Sequence, residues 1–173
     1  MMFLTVEKLR RRVAEIEGYK YAEMKDIFPF TMFKDLSDKD YVHVSIPDDI
    51  HSSKEKANFG DGFNGRDKYI WLKKVVTVPP VKSGYSVCGL FDFGKSGSGN
   101  TSGFESLLYI NGSPYQAVDT NHPDVILDDF AGQTIELVFL LWSGILTDLA
   151  GNEEHCFKRA QIGYLDTKID KLH

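Results

Sequence analysis

Asn111-Gly112 is the dipeptide that most restricts how this chain can fold. Both central residues of a type I′ turn need φ > 0, which Asn and Gly tolerate best, and that turn matches the twist of two antiparallel strands. Before it, Ser106-Leu107-Leu108-Tyr109-Ile110 has strand character; after it, Pro114 leads into a second strand, Tyr115–Val118. Gly103–His122 therefore reads as a hairpin. Asp119-Thr120-Asn121-His122-Pro123 follows as a dense polar loop, and Val125–Leu127 resumes an apolar run. A rigid hairpin followed by a polar loop is how an all-β scaffold presents chemistry.

The flanking sequence extends the same pattern. Ile70, Leu72, Val76 and Val78 alternate with Trp71, Lys73 and Thr77, so one face of that strand is buried. Tyr85–Phe93 places Val87, Phe91 and Phe93 on one face and Cys88 and Leu90 on the other. Thr134–Trp142 is apolar on both faces after Glu136, and a long last strand is expected over His155–Leu165. Val42–Ile46 reads as a short strand, Leu36–Tyr41 as a polar turn, and His51–Arg66 and Lys95–Gly103 as loops. At the N-terminus Val6, Leu9, Val13 and Ile16 recur at helical spacing, with Thr5 as N-cap and Gly18 past the end. Seven to nine short strands separated by turn signals, after one amphipathic helix, predict an all-β sandwich.

At 173 residues the chain is one ordinary domain. A net charge of −5 argues against nucleic acid or an anionic membrane as partner. The one basic run, Arg10-Arg11-Arg12, shares its helix with Glu7, Glu15 and Glu17 and reads as a solvated face. No apolar run approaches the roughly 20 residues of a membrane span, and MMFLTVEKLRRR lacks the order of a secretory signal. Cys88 and Cys156 sit in strand-like segments and are expected to be buried free thiols, which suits a reducing, cytoplasmic compartment.

Several motifs invite a catalytic reading and lose it on inspection. Gly89–Ser96 satisfies G-x-x-x-x-G-K-[ST], but its intervening residues are a strand and Gly97–Gly103 cannot start a helix, so no phosphate cradle is expected. The histidines (43, 51, 122, 155 and 173) have no zinc-ligand spacing. Glycoside hydrolysis needs two carboxylates roughly 5 to 9.5 Å apart across a sugar pocket; Asp92, Glu105, Asp119 and Asp124 are available, and sequence places no two of them together. Cys156 and His155 fall on opposite faces of a strand. Gln116, Asp119, Asn121 and His122 remain, with two readings. They form either an internal hydrogen-bond network that fixes the loop or a set of groups facing sugar hydroxyls. Asp119 and Asn121 could also hold calcium, though a turn network fits the same residues. Trp142 is either core or a sugar-stacking platform.

Leu90-Phe91-Asp92-Phe93-Gly94, Gly99–Ser106, the hairpin, Leu141-Trp142-Ser143-Gly144 and Phe157-Lys158-Arg159-Ala160 occur in an order that resembles the first, non-catalytic domain of the α-mannosidases of glycoside hydrolase family 38. The resemblance spans about Asp61 to Asp166 and is looser over the first sixty residues. It implies a jelly-roll sandwich like galactose-binding domains. It divides the chain into residues 1–35 (helix and extended lead-in), 36–166 (sandwich) and 167–173 (start of a linker or helix toward a catalytic domain). It also implies a parent enzyme that hydrolyses terminal α-mannosides with retention, using a zinc ion and a carboxylate nucleophile that both lie in that next domain. No catalytic residue and no cofactor is then expected within these residues. The partners would be the catalytic domain, further copies of the polypeptide, and mannosides through the parent enzyme. Gln116, Asp119, Asn121, His122 and Trp142 would stand at the rim of the sugar site or between domains. The alternatives are a module that binds glycans without cleaving them, and an interaction domain with no ligand.

Overall fold

The computed structural model describes residues 3–35, 45–64, 67–94, 105–143 and 154–172. Helix α1 (Phe3–Glu17) is followed by β1 (Tyr21–Asp26), β2 (Phe30–Asp35), a short helix α2 (Asp49–Ser52), β3 (Lys56–Ala57) and β4 (Gly62–Asn64). Then come β5 (Tyr69–Thr77), β6 (Tyr85–Asp92), β7 (Glu105–Ile110), β8 (Ser113–Asp119) and β9 (Asp124–Ile126). A 3₁₀ turn (Asp128–Phe130), β10 (Thr134–Trp142), β11 (Glu154–Cys156), β12 (Arg159–Asp166) and helix α3 (Thr167–Leu172) complete the described chain. The strands form a four-stranded sheet ordered β1-β12-β6-β9, a six-stranded sheet ordered β3-β2-β5-β10-β7-β8, and a small sheet β11-β4. Every strand pairing among the described residues is antiparallel. The fold is the all-β sandwich with an N-terminal helix that the patterning predicts.

Alternation explains the layers. Ile70 and Leu72 of β5, Leu137, Phe139 and Leu141 of β10, and Leu108 and Ile110 of β7 point inward from the larger sheet. Val87, Phe91 and Phe93 meet them from the smaller one, with Ile162 and Tyr164 of β12 alongside. Strand β10 is buried on both faces because the larger sheet carries a second apolar layer outside. There Ile50 of α2 covers Trp71, Tyr109, Val138 and Leu140. This is why Thr134–Trp142 reads as apolar on both faces after Glu136, and it makes Trp71 the fully buried tryptophan of the chain.

The hairpin forms as its turn dictates. Asn111 has φ 50° and Gly112 φ 81°, and β7 and β8 pair from Ile110–Ser113 back to Glu105–Asp119 with one irregularity at Leu108/Tyr109. A side chain anchors it: Asn111 Oδ1 accepts from the Glu136 N–H at 2.9 Å.

Four local expectations are corrected. The extended lead-in is part of the sandwich: β1 lies at the edge of the smaller sheet, β2 pairs with β5 in the larger, and Ile27–Pro29 carries the chain between them. The expected single last strand is two strands in different sheets: Phe157 is fully buried and its N–H still extends the β11–β4 register to Asp61 O, and the next residue, Lys158, donates its N–H to Asp92 O and carries the chain onto β6. The loop expected over His51–Arg66 contains part of α2, all of β3 and β4. Helix α1 also begins two residues before Thr5. Leu36–Tyr41, most of Val42–Ile46 and Lys95–Gly103 lie outside the described residues. No helix among the described residues is long and apolar enough to cross a membrane.

Both cysteines are free. Cys88 is buried, and desolvation, with Asp124 adding to it, pushes its thiol up to about 12. Cys156 is half-buried, its Sγ donating to Gly60 O at 3.6 Å. A disulfide reagent at mildly alkaline pH is expected to titrate at most one thiol in the native chain and both after denaturation. Rapid native reaction of Cys88 would mean that β6 is not held in its sheet.

Candidate functional site

The register of the larger sheet sets one row of residues at its end. Tyr69 of β5 lies opposite Trp142 of β10, Trp142 opposite Glu105 of β7, and Glu105 opposite Asp119 of β8. Cross-strand partners share a face, and these continue the outer face that carries Trp71, Val138 and Leu140. Trp142 is half-buried, and its Nε1–H donates to Asp67 Oδ1 at 2.8 Å. Burial, and then the charge of Asp67, raises the Tyr69 hydroxyl above its ordinary value. The result is an aromatic pair, Tyr69 and Trp142, flanked by carboxylates on both sides.

Asp119 closes the row and organises the loop beyond it. Its Oδ1 accepts from the N–H of Asn121 at 2.7 Å and of His122 at 2.8 Å, while His122 Nδ1 lies 3.2 Å away. This is the local network that short polar side chains build with the backbone two or three residues on. His122 itself extends into solvent, 73% exposed. Gln116 does not join the row. It lies opposite Leu108 on the inward side of the hairpin, and its Nε2–H donates to Asp124 O at 2.9 Å, tying the two sheets together. So the structure brings Trp142 and Asp119 onto one face, with Asn121 and His122 at its edge, and sends Gln116 elsewhere.

Sequence reasoning missed Asp67, Tyr69 and Glu105 as members of this row. Asp67 stood in a stretch read as loop or boundary, with φ 54° fixing where its carboxylate points. Tyr69 and Glu105 become neighbours of Trp142 only through strand register, which periodicity along one strand does not reveal.

Behind the row, the sandwich end is tightly built. Ser143 N–H donates to Lys68 O, and Ser143 Oγ accepts from Lys68 N–H at 2.8 Å. The fully buried His155 donates from Nε2 to Ser143 O at 3.0 Å and stacks on Phe63, ring centres 4.6 Å apart. Phe157 contacts Phe63 and Phe93. Gly94, with φ 117°, packs so closely that a Cβ there would lie 2.5 Å from Cys156 N. Residues as distant in sequence as Phe63, Gly94, Ser143 and Phe157 thus meet at one end of the molecule.

A cleft of about 880 Å³ opens at the opposite end of β5, between the sheets. Ile27, Phe28, Val76 and Ile162 form its apolar walls, and Glu23, Lys25, Asp26 and Lys74 contribute two charges of each sign. Two of its polar groups are turned toward the protein's own backbone: Lys74 Nζ donates to Pro29 O and the Tyr164 hydroxyl to Pro80 O. Burial, reinforced by Lys56, draws the Lys74 ammonium below its ordinary value.

Chemically, the outer row can stack a flat apolar ring face and hydrogen-bond hydroxyls. It is poorly arranged for acid–base hydrolysis, since Asp119 is committed to two backbone donors and Glu105 is exposed. Among the described residues no three His, Cys, Asp or Glu gather as a metal site. Gly89–Asp92 of the phosphate-loop pattern are strand residues of β6, and Asp92 Oδ1 accepts from Gly94 N–H, closing a turn around its own carboxylate. No protein-family model matches the chain, and no curated protein matches it.

Burial works against ionisation of Asp119, but the N–H groups of Asn121 and His122 and the His122 ring outweigh it and hold the carboxyl below its ordinary value. Because the folded value is depressed, the loop's stabilisation is complete above the ordinary carboxylate range and is lost as pH falls through the lower, folded value. The amide shifts of Asn121 and His122 should therefore move together with a midpoint below the ordinary carboxylate range, and Asp119→Ala should abolish the titration. His155→Ala, which removes a stacked ring and a buried hydrogen bond, should cost about 2–4 kcal/mol in urea unfolding.

Proposed function

We propose that this chain is the N-terminal accessory β-sandwich of a family-38 α-mannosidase. It would pack on the catalytic domain, shape the rim of its site and be inert alone. One observation carries the reading. The motifs on which the resemblance rests are far apart in sequence, yet, the hairpin turn at Asn111-Gly112 apart, their described parts converge on one end of the sandwich. Leu90–Gly94 finishes β6 there, Glu105 starts β7, Trp142-Ser143 finishes β10, and Phe157–Ala160 enters β12. A shared structural demand at one end gives a physical reason for those segments to be kept together. The consecutive crossings β5 to β6 to β7, and β8 to β9 to β10, suit the jelly-roll variety that the resemblance implies.

In this reading zinc and the carboxylate nucleophile belong to the catalytic domain. The histidines described here are otherwise engaged: His155 with Ser143, His122 with Asp119 and His51 with Lys73. No catalytic step is assigned to any of them.

The second reading, a glycan-binding module, is favoured by a different observation, the Tyr69–Trp142 pair with Asp119 and Glu105 beside it. Two measurements separate the readings. The reading frame past His173 should continue into a domain with zinc-binding His and Asp residues; a stop codon there would sink the accessory-domain proposal. Calorimetric titration of the isolated chain with α-mannobiose should show no saturable heat if the chain is inert alone. If binding appears, is lost in Trp142→Ala and survives in Gln116→Ala, the module reading replaces the first.

A further inference from the structure

Helix α1 stands with its apolar stripe facing solvent. Val6, Leu9 and Val13 are 53%, 60% and 45% exposed, every residue from Thr5 to Glu15 is exposed, and Ile16 is half-buried. The helix leans on α3, whose Leu172 is also exposed. Its base is fastened: Lys20 pairs with Asp170 at 2.9 Å, and Asp166 N–H donates to Lys20 O. The termini do little to stabilise it, since its first turn carries no acidic residue and its last no basic one. A helix of 15 residues with these ends is marginal unless its apolar face is covered.

The stripe has a coiled-coil register. Val6, Leu9, Val13 and Ile16 are spaced three, four and three apart, so they occupy a, d, a and d of two heptads. β-Branched residues at a with Leu at a d position favour a parallel two-stranded pair. The flanking charges agree. Arg12 takes a g position and Glu17 the following e position, and in a parallel pair each g residue faces the next e residue of the other helix. Arg12 of each chain would thus meet Glu17 of the partner subunit, twice across the two-fold axis. Reversing one helix while keeping the same seam would set Arg10 near Arg10 and Arg12 near Arg12, which repel.

We infer that α1 is a homodimerisation element, docking in parallel on α1 of a second copy of this chain through Val6, Leu9, Val13 and Ile16. This concerns α1 alone and stands apart from the accessory-domain reading. A seam of four residues a side is small beside the roughly 1,200–2,000 Å² of stable interfaces, so the pairing is reversible and depends on concentration. A different domain covering the same stripe would not require the reciprocal match of Arg12 and Glu17.

Sedimentation equilibrium of the 173-residue chain tests this. The apparent mass should rise with concentration toward twice that of one chain. Leu9→Asp should keep the chain monomeric with the thermal midpoint of the sandwich unchanged. Arg12→Glu should weaken association roughly three- to tenfold through its two like-charge pairs, and Arg12→Glu combined with Glu17→Arg should restore it. A chain that stays monomeric to millimolar concentration overturns the inference. So does association that Leu9→Asp does not move, or a double exchange that fails to restore it.

Discussion

Phe139 is the point on which the sandwich turns. From the middle of β10 its ring lies 4.7 Å from that of Phe91, 5.0 Å from Phe93 and 6.1 Å from Phe30, measured between centroids. Phe93 passes the contact on to Phe157 at 6.0 Å. Phe91 and Phe93 come from the smaller sheet's side, Phe30 and Phe139 from the larger. Tilted and edge-to-face aromatic pairs add about 0.5–1.5 kcal/mol each beyond the area they bury, and their geometry fixes how the two sheets face each other. Other parts of the structure follow from that alignment. The chain must cross at Ile27–Pro29 to place Phe30, and it must leave β11 at Phe157 to fill the last position of the cluster.

The outer layer rests on this arrangement without sharing it. With the inner face of β10 given to the Phe cluster, its outer residues are free to carry α2 at one point and the Tyr69–Trp142 row at another. Trp71 and Trp142 lie on the same face, yet one is sealed beneath Ile50 and the other reaches Asp67 at the sheet end. The contrast comes from position along neighbouring strands. Both the proposed accessory role and the glycan-binding alternative draw on that exposed end, and the dimer inferred for α1 draws on an element that leaves the sandwich untouched.

Much of the fold was legible because its causes are local. Asn111-Gly112 encodes its own turn, and alternation in Tyr69–Thr77 and Tyr85–Asp92 encodes which residues point between the two sheets, although Trp71, Cys88 and Leu90 are buried on the opposite faces. The limits also have local causes. The extended lead-in before residue 36 does not announce its strands because β1 is bulged between Ala22 and Lys25, with Glu23 at φ 53°, so its side chains do not keep a period of two. His155–Leu165 looked like one strand because every residue in it suits a strand, and the break at Phe157 is decided by a ring partner, Phe93, some sixty residues away. The candidate site divided in the same manner. The Asp119 turn was readable from Asx chemistry within four residues, whereas the partners of Trp142 depend on register across three strands.

The bulge in β1 has a further effect on how this protein behaves among its own copies. A sandwich with open sheets exposes unpaired N–H and C=O rows at its edges, and a long flat edge templates strand addition and aggregation. Here the smaller sheet ends on bulged β1 and on β9, three residues long; the larger ends on β3, two residues long, and on β8, which carries Pro114 and a register irregularity of its own. Among the described residues, the four edges of these two sheets are short, kinked or interrupted by a residue that cannot donate. A molecule built this way can be crowded with others of its kind without its sheets joining end on, which leaves helices and side-chain surfaces as the routes to ordered assembly.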